Sequence, residues 1–232
     1  NTIPIEIRSL DGELLSNTIT WKPSHSINEI IWNNAIYSDN KYIVSGIVTG
    51  GAELSILGTD IGTGIHLGTK IISKNSYIKI SNDGYIWNNL LTINDMYIYK
   101  LTYVNNKFVA LGQNQNNGKG CIIYSTDSNN WSNAYDISFL ENYSICVSII
   151  YDYSGEQYVV ISNDLFNKTG YILTSDISSN WTIKKTNNGI LFATTHFKNL
   201  FIVGGQTLDD YGKLIVGCIL TSTDLSGWNN NL

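Results

Sequence analysis

Short apolar runs alternate with polar turns along almost the whole chain. Four stretches share one arrangement: Tyr37-Ser-Asp-Asn-Lys-Tyr42-Ile-Val, Tyr103-Val-Asn-Asn-Lys-Phe108-Val-Ala, Tyr151-Asp-Tyr-Ser-Gly-Glu-Gln-Tyr158-Val-Val and His196-Phe-Lys-Asn-Leu-Phe201-Ile-Val. Each is an apolar run, a tight polar turn, then an aromatic residue followed mostly by β-branched ones. Asn and Gly supply the positive φ that a tight turn needs, so each stretch reads as a β-hairpin. No stretch combines 3.6-residue apolar spacing with a cap and helix-forming filler, and no helix is expected.

A second landmark follows each hairpin, and one further copy precedes the first. Leu15-Ser-Asn-Thr-Ile-Thr-Trp21, Ser81-Asn-Asp-Gly-Tyr-Ile-Trp87, Ser125-Thr-Asp-Ser-Asn-Asn-Trp131, Thr174-Ser-Asp-Ile-Ser-Ser-Asn-Trp181 and Ser222-Thr-Asp-Leu-Ser-Gly-Trp228 can be laid over one another. Asp83, Asp127 and Asp224 stand four residues before their tryptophans, Asp176 stands five before, and Asn17 takes the place in the first copy. The tryptophans are spaced by 66, 44, 50 and 47 residues. The long first interval carries an insertion of about 20 residues, which the Gly-rich stretch Gly46–Lys74 must hold.

Each unit then reads as four short strands, rich in Ile, Val, Tyr and Phe and bounded by Asn, Asp, Ser or Gly. In one unit they fall near Tyr97–Tyr103, Lys107–Leu111, Gly120–Tyr124 and Trp131–Tyr135. Tandem four-stranded units of this length imply an all-β fold, a β-propeller. The expected organisation is one propeller domain over 1–232, with a half unit over 1–21 and repeats over about 22–88, 89–132, 133–182 and 183–232. The half unit supplies strands near Ile3–Arg8 and Glu13–Trp21. Four whole units and a half point to a longer parent of six or seven blades, with a compact five-unit ring as the alternative.

The recurring S-x-D-x(3)-W pattern, behind strands such as Cys121-Ile-Ile-Tyr124, resembles the Asp-box (BNR) repeats of sialidase-like propellers. It is similar to the S-x-D-G-x-x-W variants common in proteins of large DNA viruses and bacteriophages. Ser81–Trp87 is the best copy; the others lose the Gly or lengthen the turn. The resemblance covers residues 12 to 230 and implies that each aspartate sits in the turn between third and fourth strands. A short carboxylate there can accept turn N–H groups and hold a sharp reversal. The tryptophan is expected to open the outer strand and bury its ring between neighbouring sheets. Asp83, Trp87, Asp127, Trp131, Asp176, Trp181, Asp224 and Trp228 are therefore read as structural repeat residues. One aspartate per unit cannot converge with the others on one substrate.

The chain has 232 residues and a formal charge of −5, and Arg8 is the single arginine among 14 basic residues. That balance argues against nucleic-acid binding, which rests on clustered Lys and Arg. It also removes the three-arginine clamp that the sialidase resemblance would require, so sialidase activity is excluded. Another glycosidase needs only two carboxylates and stays open. Cys121, Cys146 and Cys218 show no CxxC and are read as buried small hydrophobes; His25, His66 and His196 make no metal trio, and His196 fills the slot of Tyr37, Tyr103 and Tyr151. No catalytic residue, metal site or cofactor is expected. No apolar run is long enough to span a bilayer.

If the strand order holds, connections between units and those between second and third strands share one face. That face gathers Asn28, Glu29, Asp95, Asp136 and Glu141 from the former and Gln113, Asn114, Asp164, Gln206, Asp209 and Asp210 from the latter. The second set is the candidate ligand-binding group; Asp209-Asp210 could also offer oxygens to Ca²⁺, although a solvated acidic loop explains it as well. With 29 Asn and 34 Ile against 2 Pro and 1 Met, the composition reads as that of an AT-rich coding genome. The expected function is a non-enzymatic binding or structural module that contacts protein partners or glycans, with a viral particle or an extracellular setting favoured. The alternative is a carbohydrate-active enzyme or a lectin-like glycan binder.

Overall fold

The computed structural model describes residues 7–8, 14–16, 30–48, 75–132, 135–137, 140, 143–176, 180–209 and 213–231. Among these residues there are strands and turns and no helix. Residues 49–74 of the insertion, Asp210, Asn28, Glu29, Glu141, His25 and His66 lie outside the described residues.

Two short strands, β1 (Ile7–Arg8) and β2 (Leu14–Ser16), pair as an antiparallel hairpin of their own, within the half unit expected over 1–21. The first four-stranded unit follows: β3 (Ile30–Ser38), β4 (Lys41–Val48), β5 (Ser76–Ser81) and β6 (Asn88–Ile93), hydrogen-bonded in that order. The second is β7 (Met96–Val104), β8 (Lys107–Asn114), β9 (Gly120–Ser125) and the brief β10 (Tyr135–Asp136). Then come β11 (Ser144–Asp152), β12 (Gln157–Asp164), β13 (Thr169–Ser175), β14 (Thr182–Phe197), β15 (Leu200–Leu208), β16 (Leu214–Ser222) and β17 (Asn229–Asn231), joined in one seven-stranded sheet. That sheet is two units sharing β14, whose first half is the outer strand of the third unit and whose second half is the inner strand of the fourth. The changeover is Gly189, paired with both Thr169 and Thr207. Its φ is +146° and a Cβ there would lie 1.9 Å from the Gln206 carbonyl oxygen, so only glycine fits.

The hairpins fall where the apolar–polar pattern puts them. Asp39-Asn40, Asn105-Asn106 and Lys198-Asn199 all have φ between +47° and +61° at both turn positions, as a two-residue primed turn requires. The aromatic that opens each second strand pairs across with the aromatic that closes the first: Tyr37 with Tyr42, Tyr103 with Phe108, Tyr151 with Tyr158, His196 with Phe201. Ring centroids are 4.5, 4.7, 4.8 and 4.0 Å apart, and the imidazole of His196 stacks flat on Phe201. His196 thus does the work of a tyrosine. Cys121, Cys146 and Cys218 are all buried free thiols.

The first strands of successive units pack side by side, β3 on β7, β7 on β11 and β11 on β14. Consecutive sheets therefore meet face to face, and alternate residues of one strand serve opposite joints. On β8, Phe108 and Ala110 fill the joint with the first unit, while Val109 and Leu111 fill the joint with the third. On β12, Tyr158 and Val160 face back and Val159 and Ile161 face forward. Because both faces are covered, these strands read as continuous apolar runs rather than as alternation. Trp131, Trp181 and Trp228 each pack against the joint with the preceding unit. They precede the outer strand instead of opening it: Trp181 and Trp228 stand immediately before β14 and β17, and Trp131 four residues before β10.

Candidate functional site

Three of the serine–aspartate turns share one hydrogen-bond scheme. The Ser81 hydroxyl accepts from the N–H of Asp83 (3.3 Å) and Gly84 (2.8 Å) and donates to Asp83 Oδ1 (3.0 Å). Asp83 Oδ1 then accepts from the N–H groups of Tyr85 and Ile86, both at 2.8 Å. Ser125 and Asp127 repeat this with the N–H groups of Ser128 (2.8 Å), Asn129 (2.9 Å) and Asn130 (2.8 Å). Ser222 and Asp224 do so with Leu225 (3.0 Å), Ser226 (2.9 Å) and Gly227 (3.1 Å). The residue after each aspartate is left-handed: Gly84 (φ +75°), Ser128 (φ +72°) and Leu225 (φ +63°). These bonds hold the carboxyls below their ordinary value, led by the Asn130 N–H for Asp127, the Ser226 hydroxyl for Asp224 and the Ile86 N–H for Asp83. Asp176 differs: it follows its serine directly, and Ser175 donates to it at 3.3 Å.

The connections between units and those between second and third strands do lie on one face, since Gln115 N–H bonds Asp95 O at 2.7 Å and Leu165 N–H bonds Tyr143 O at 3.1 Å. Four of the candidate ligand residues there are hydrogen-bonded within the fold. Gln113 Nε2 donates to the carbonyls of Gly118 (3.1 Å) and Ser144 (3.0 Å) and so straps the second unit to the third. Asn114 Oδ1 accepts from Asn116 N–H at 2.9 Å. Asp164 is buried, and its carboxylate takes the N–H groups of Phe166 (3.0 Å) and Asn167 (2.9 Å) and the Asn167 amide (2.8 Å). Asp209 accepts from Lys213 N–H at 2.8 Å. Gln206 is half-buried, and its Oε1 is buried with no partner among the described residues. The five therefore sit at matching ends of β8, β12 and β15, one unit apart; Asn114, Asp164 and Asp209 each serve their own loop, while Gln113 also ties its unit to the next. Among the described residues no three His, Cys, Asp or Glu side chains converge to hold a metal ion.

A cavity of about 310 Å³ opens elsewhere, between the outer strand of the first unit and the third strand and Ser–Asp turn of the second. The first unit contributes Leu91, Thr92, Ile93 and Asn94 from the end of β6; the second contributes Ile123, Asn129, Trp131 and Ser132. The Trp131 indole is fixed by donating to Ser128 O at 2.9 Å, and Asn129 by its turn. The cavity is an aromatic and aliphatic wall edged with hydroxyl and amide groups. None of its described lining residues is ionisable. Sequence reasoning reached Trp131 only as a packing residue; nothing in the spacing signals that β6 leaves room beside it.

No protein-family model matches the chain, and no curated protein matches it. Solved structures do. A Trypanosoma rangeli sialidase in complex with 2,3-difluorosialic acid superposes with a TM-score of 0.53 at 10% identity, over 99% of this chain and 42% of that one. The fold is a β-propeller. A mutant of the same sialidase displaying trans-sialidase activity gives 0.51 at 11% identity, again over 99% and 42%. The β-propeller domain of the Trilobed protease from Pyrococcus furiosus gives 0.52 at 8% identity, over 88% of this chain and 58% of that one. The chain thus spans about two fifths of the length of the sialidases it matches, and among the described residues the sheets are not hydrogen-bonded into a closed ring.

Proposed function

We propose that the chain is a glycan-binding propeller module that holds a sugar in the cavity beside Trp131 and does not cleave it. The cavity itself carries the reading. A half-buried indole offers a flat apolar surface for the C–H face of a pyranose, and Thr92, Asn94, Asn129 and Ser132 supply hydroxyls and amides around it. A volume of about 310 Å³ is small among ligand pockets and suits one or two sugar rings. The likeness to a sialidase bound to a sialic acid derivative supports carbohydrate as the ligand class. Two features favour binding over hydrolysis. Glycoside cleavage calls for a pair of carboxylates flanking the bond, and the described lining has none. A single arginine in the chain leaves no clamp for a sialic acid carboxylate, so neutral sugars are favoured.

A glycan array tests this. Saturable binding to neutral glycans, with no release of sugar on prolonged incubation, is the expected result. Turnover of a chromogenic glycoside would sink the non-enzymatic part, and a blank array would sink the reading.

A further inference from the structure

The cavity beside Trp131 is layered. Its floor includes Ile123, which is 1% exposed and belongs to the core between the first two units. Leu91, Ile93 and Trp131 line it too, half-buried and packed against the same core. The single polar atom of the indole is taken up by Ser128 O at 2.9 Å, so the ring offers the cavity carbon alone. Alternation along β6 sends Thr92 and Asn94 the other way from Leu91 and Ile93, and both are exposed at the rim. The depth is therefore apolar and the rim polar.

Asn129 is the third exposed group of the rim, and its amide is held in one orientation. Its main-chain N–H donates to Asp127 Oδ1 at 2.9 Å, and its Nδ2 donates to Asp127 O at 3.3 Å. That carbonyl is anchored from the first unit, because Lys41 Nζ donates to it at 2.8 Å. With Nδ2 directed at its own turn, Oδ1 is the end of the amide left to meet a ligand, as an acceptor.

A plain hexose carries a hydroxyl or hydroxymethyl group at nearly every ring carbon, and any of these pushed to the floor would lie unpaired against Ile123. A ligand that fills the depth needs a small apolar tip, with a donor a little behind it to reach Asn129 Oδ1. An acetamido group is built in that way: a methyl at the tip and an N–H beside the sugar ring. We infer that, on the glycan-binding reading above, the sugar held here is an N-acetylated hexosamine, with its acetyl methyl against Ile123, Leu91 and Ile93 and its N–H donating to Asn129 Oδ1.

The test titrates the whole chain with methyl glycosides of N-acetylglucosamine, N-acetylgalactosamine, glucose, galactose and 6-deoxygalactose. One N-acetyl sugar should bind at least about tenfold more tightly than its parent hexose, from the buried methyl and the added hydrogen bond. Asn129 is exposed, so Asn129→Ala should fold; it should weaken the N-acetyl sugar several-fold and leave the parent hexose unchanged. Equal affinity for the N-acetyl sugars and their parents, lost for both in Thr92→Lys, would overturn the acetamido assignment and leave the sugar site standing. So would 6-deoxygalactose matching the N-acetyl sugars, since a methyl alone would then suffice, or a preference untouched by Asn129→Ala. No binding of any of the five would overturn the assignment together with the glycan reading beneath it.

Discussion

The indole N–H of Trp131 donates to the carbonyl oxygen of Ser128 at 2.9 Å, and Ser128 is the left-handed residue of the turn that Asp127 holds. Trp228 repeats the bond to Leu225 O at 3.1 Å. The aspartate therefore does more than close a turn: it sets the carbonyl that aims the ring into the joint with the preceding unit. Among the described residues, the indole N–H groups of Trp87 and Trp181 are buried and have no such acceptor. Replacing Asp127 with alanine should lower the melting temperature and also loosen the cavity wall, read as a red-shifted tryptophan emission. Replacing Asp83 should lower the melting temperature with no change in the Trp131 environment.

The left-handed position gives a second prediction. Gly84→Ala should cost about 1 kcal/mol, since an L side chain at φ +75° is strained although the Cβ would meet only the Tyr42 ring at 3.6 Å. Leu225 accepts the same strain because its side chain is buried in the joint between third and fourth units. Leu225→Gly should therefore destabilise, by about 2 kcal/mol after the relief of strain, despite removing an unfavourable φ. Denaturant unfolding of the two variants checks the pair.

Acid should act on the turns. Asp83, Asp127 and Asp224 are held below the ordinary carboxyl value of 3.8 in the fold, so at low pH the unfolded chain binds more protons than the folded one. Their contribution is complete above that value and is lost as pH falls through and below it. Stability should be flat from about pH 5 upward and drop steeply below about pH 4. The triple Asp→Asn variant should be less stable at neutral pH and show a shallower acid limb in urea melts at each pH.

Asp164 distinguishes a loop-closing carboxylate from a ligand. Buried and holding three donors, it should cost about 2–3 kcal/mol on replacement by alanine, while glycan binding per folded molecule stays unchanged. Calorimetric unfolding beside a binding titration of the same sample separates the two effects.

The primed hairpins and the Ser–Asp turns were legible because each is local, with every determinant within about ten residues, and the repeat was legible because these local signatures recur every 44 to 66 residues. The jointing amides were not. Asn163 and Asp164 are neighbours, and only strand alternation decides that Asn163 crosses to Leu191 while Asp164 turns back to its own loop. A sequence reading that weighs charge picks Asp164 and passes over Asn163. The cavity was hidden for a related reason. Thr92 and Asn129 are far apart in sequence and meet only because successive sheets pack face to face. His196 shows the opposite case, where its place in the repeat was enough to read it as a packed ring.

The most direct measurement is a calorimetric titration of the best neutral glycan from the array into the native chain and into Thr92→Lys. Thr92 is exposed on β6 at the cavity edge, so lysine should fold normally and fill the opening. The account predicts affinity of about micromolar strength for the native chain, reduced at least about tenfold by the lysine. Equal affinity in the two proteins would contradict a sugar site beside Trp131.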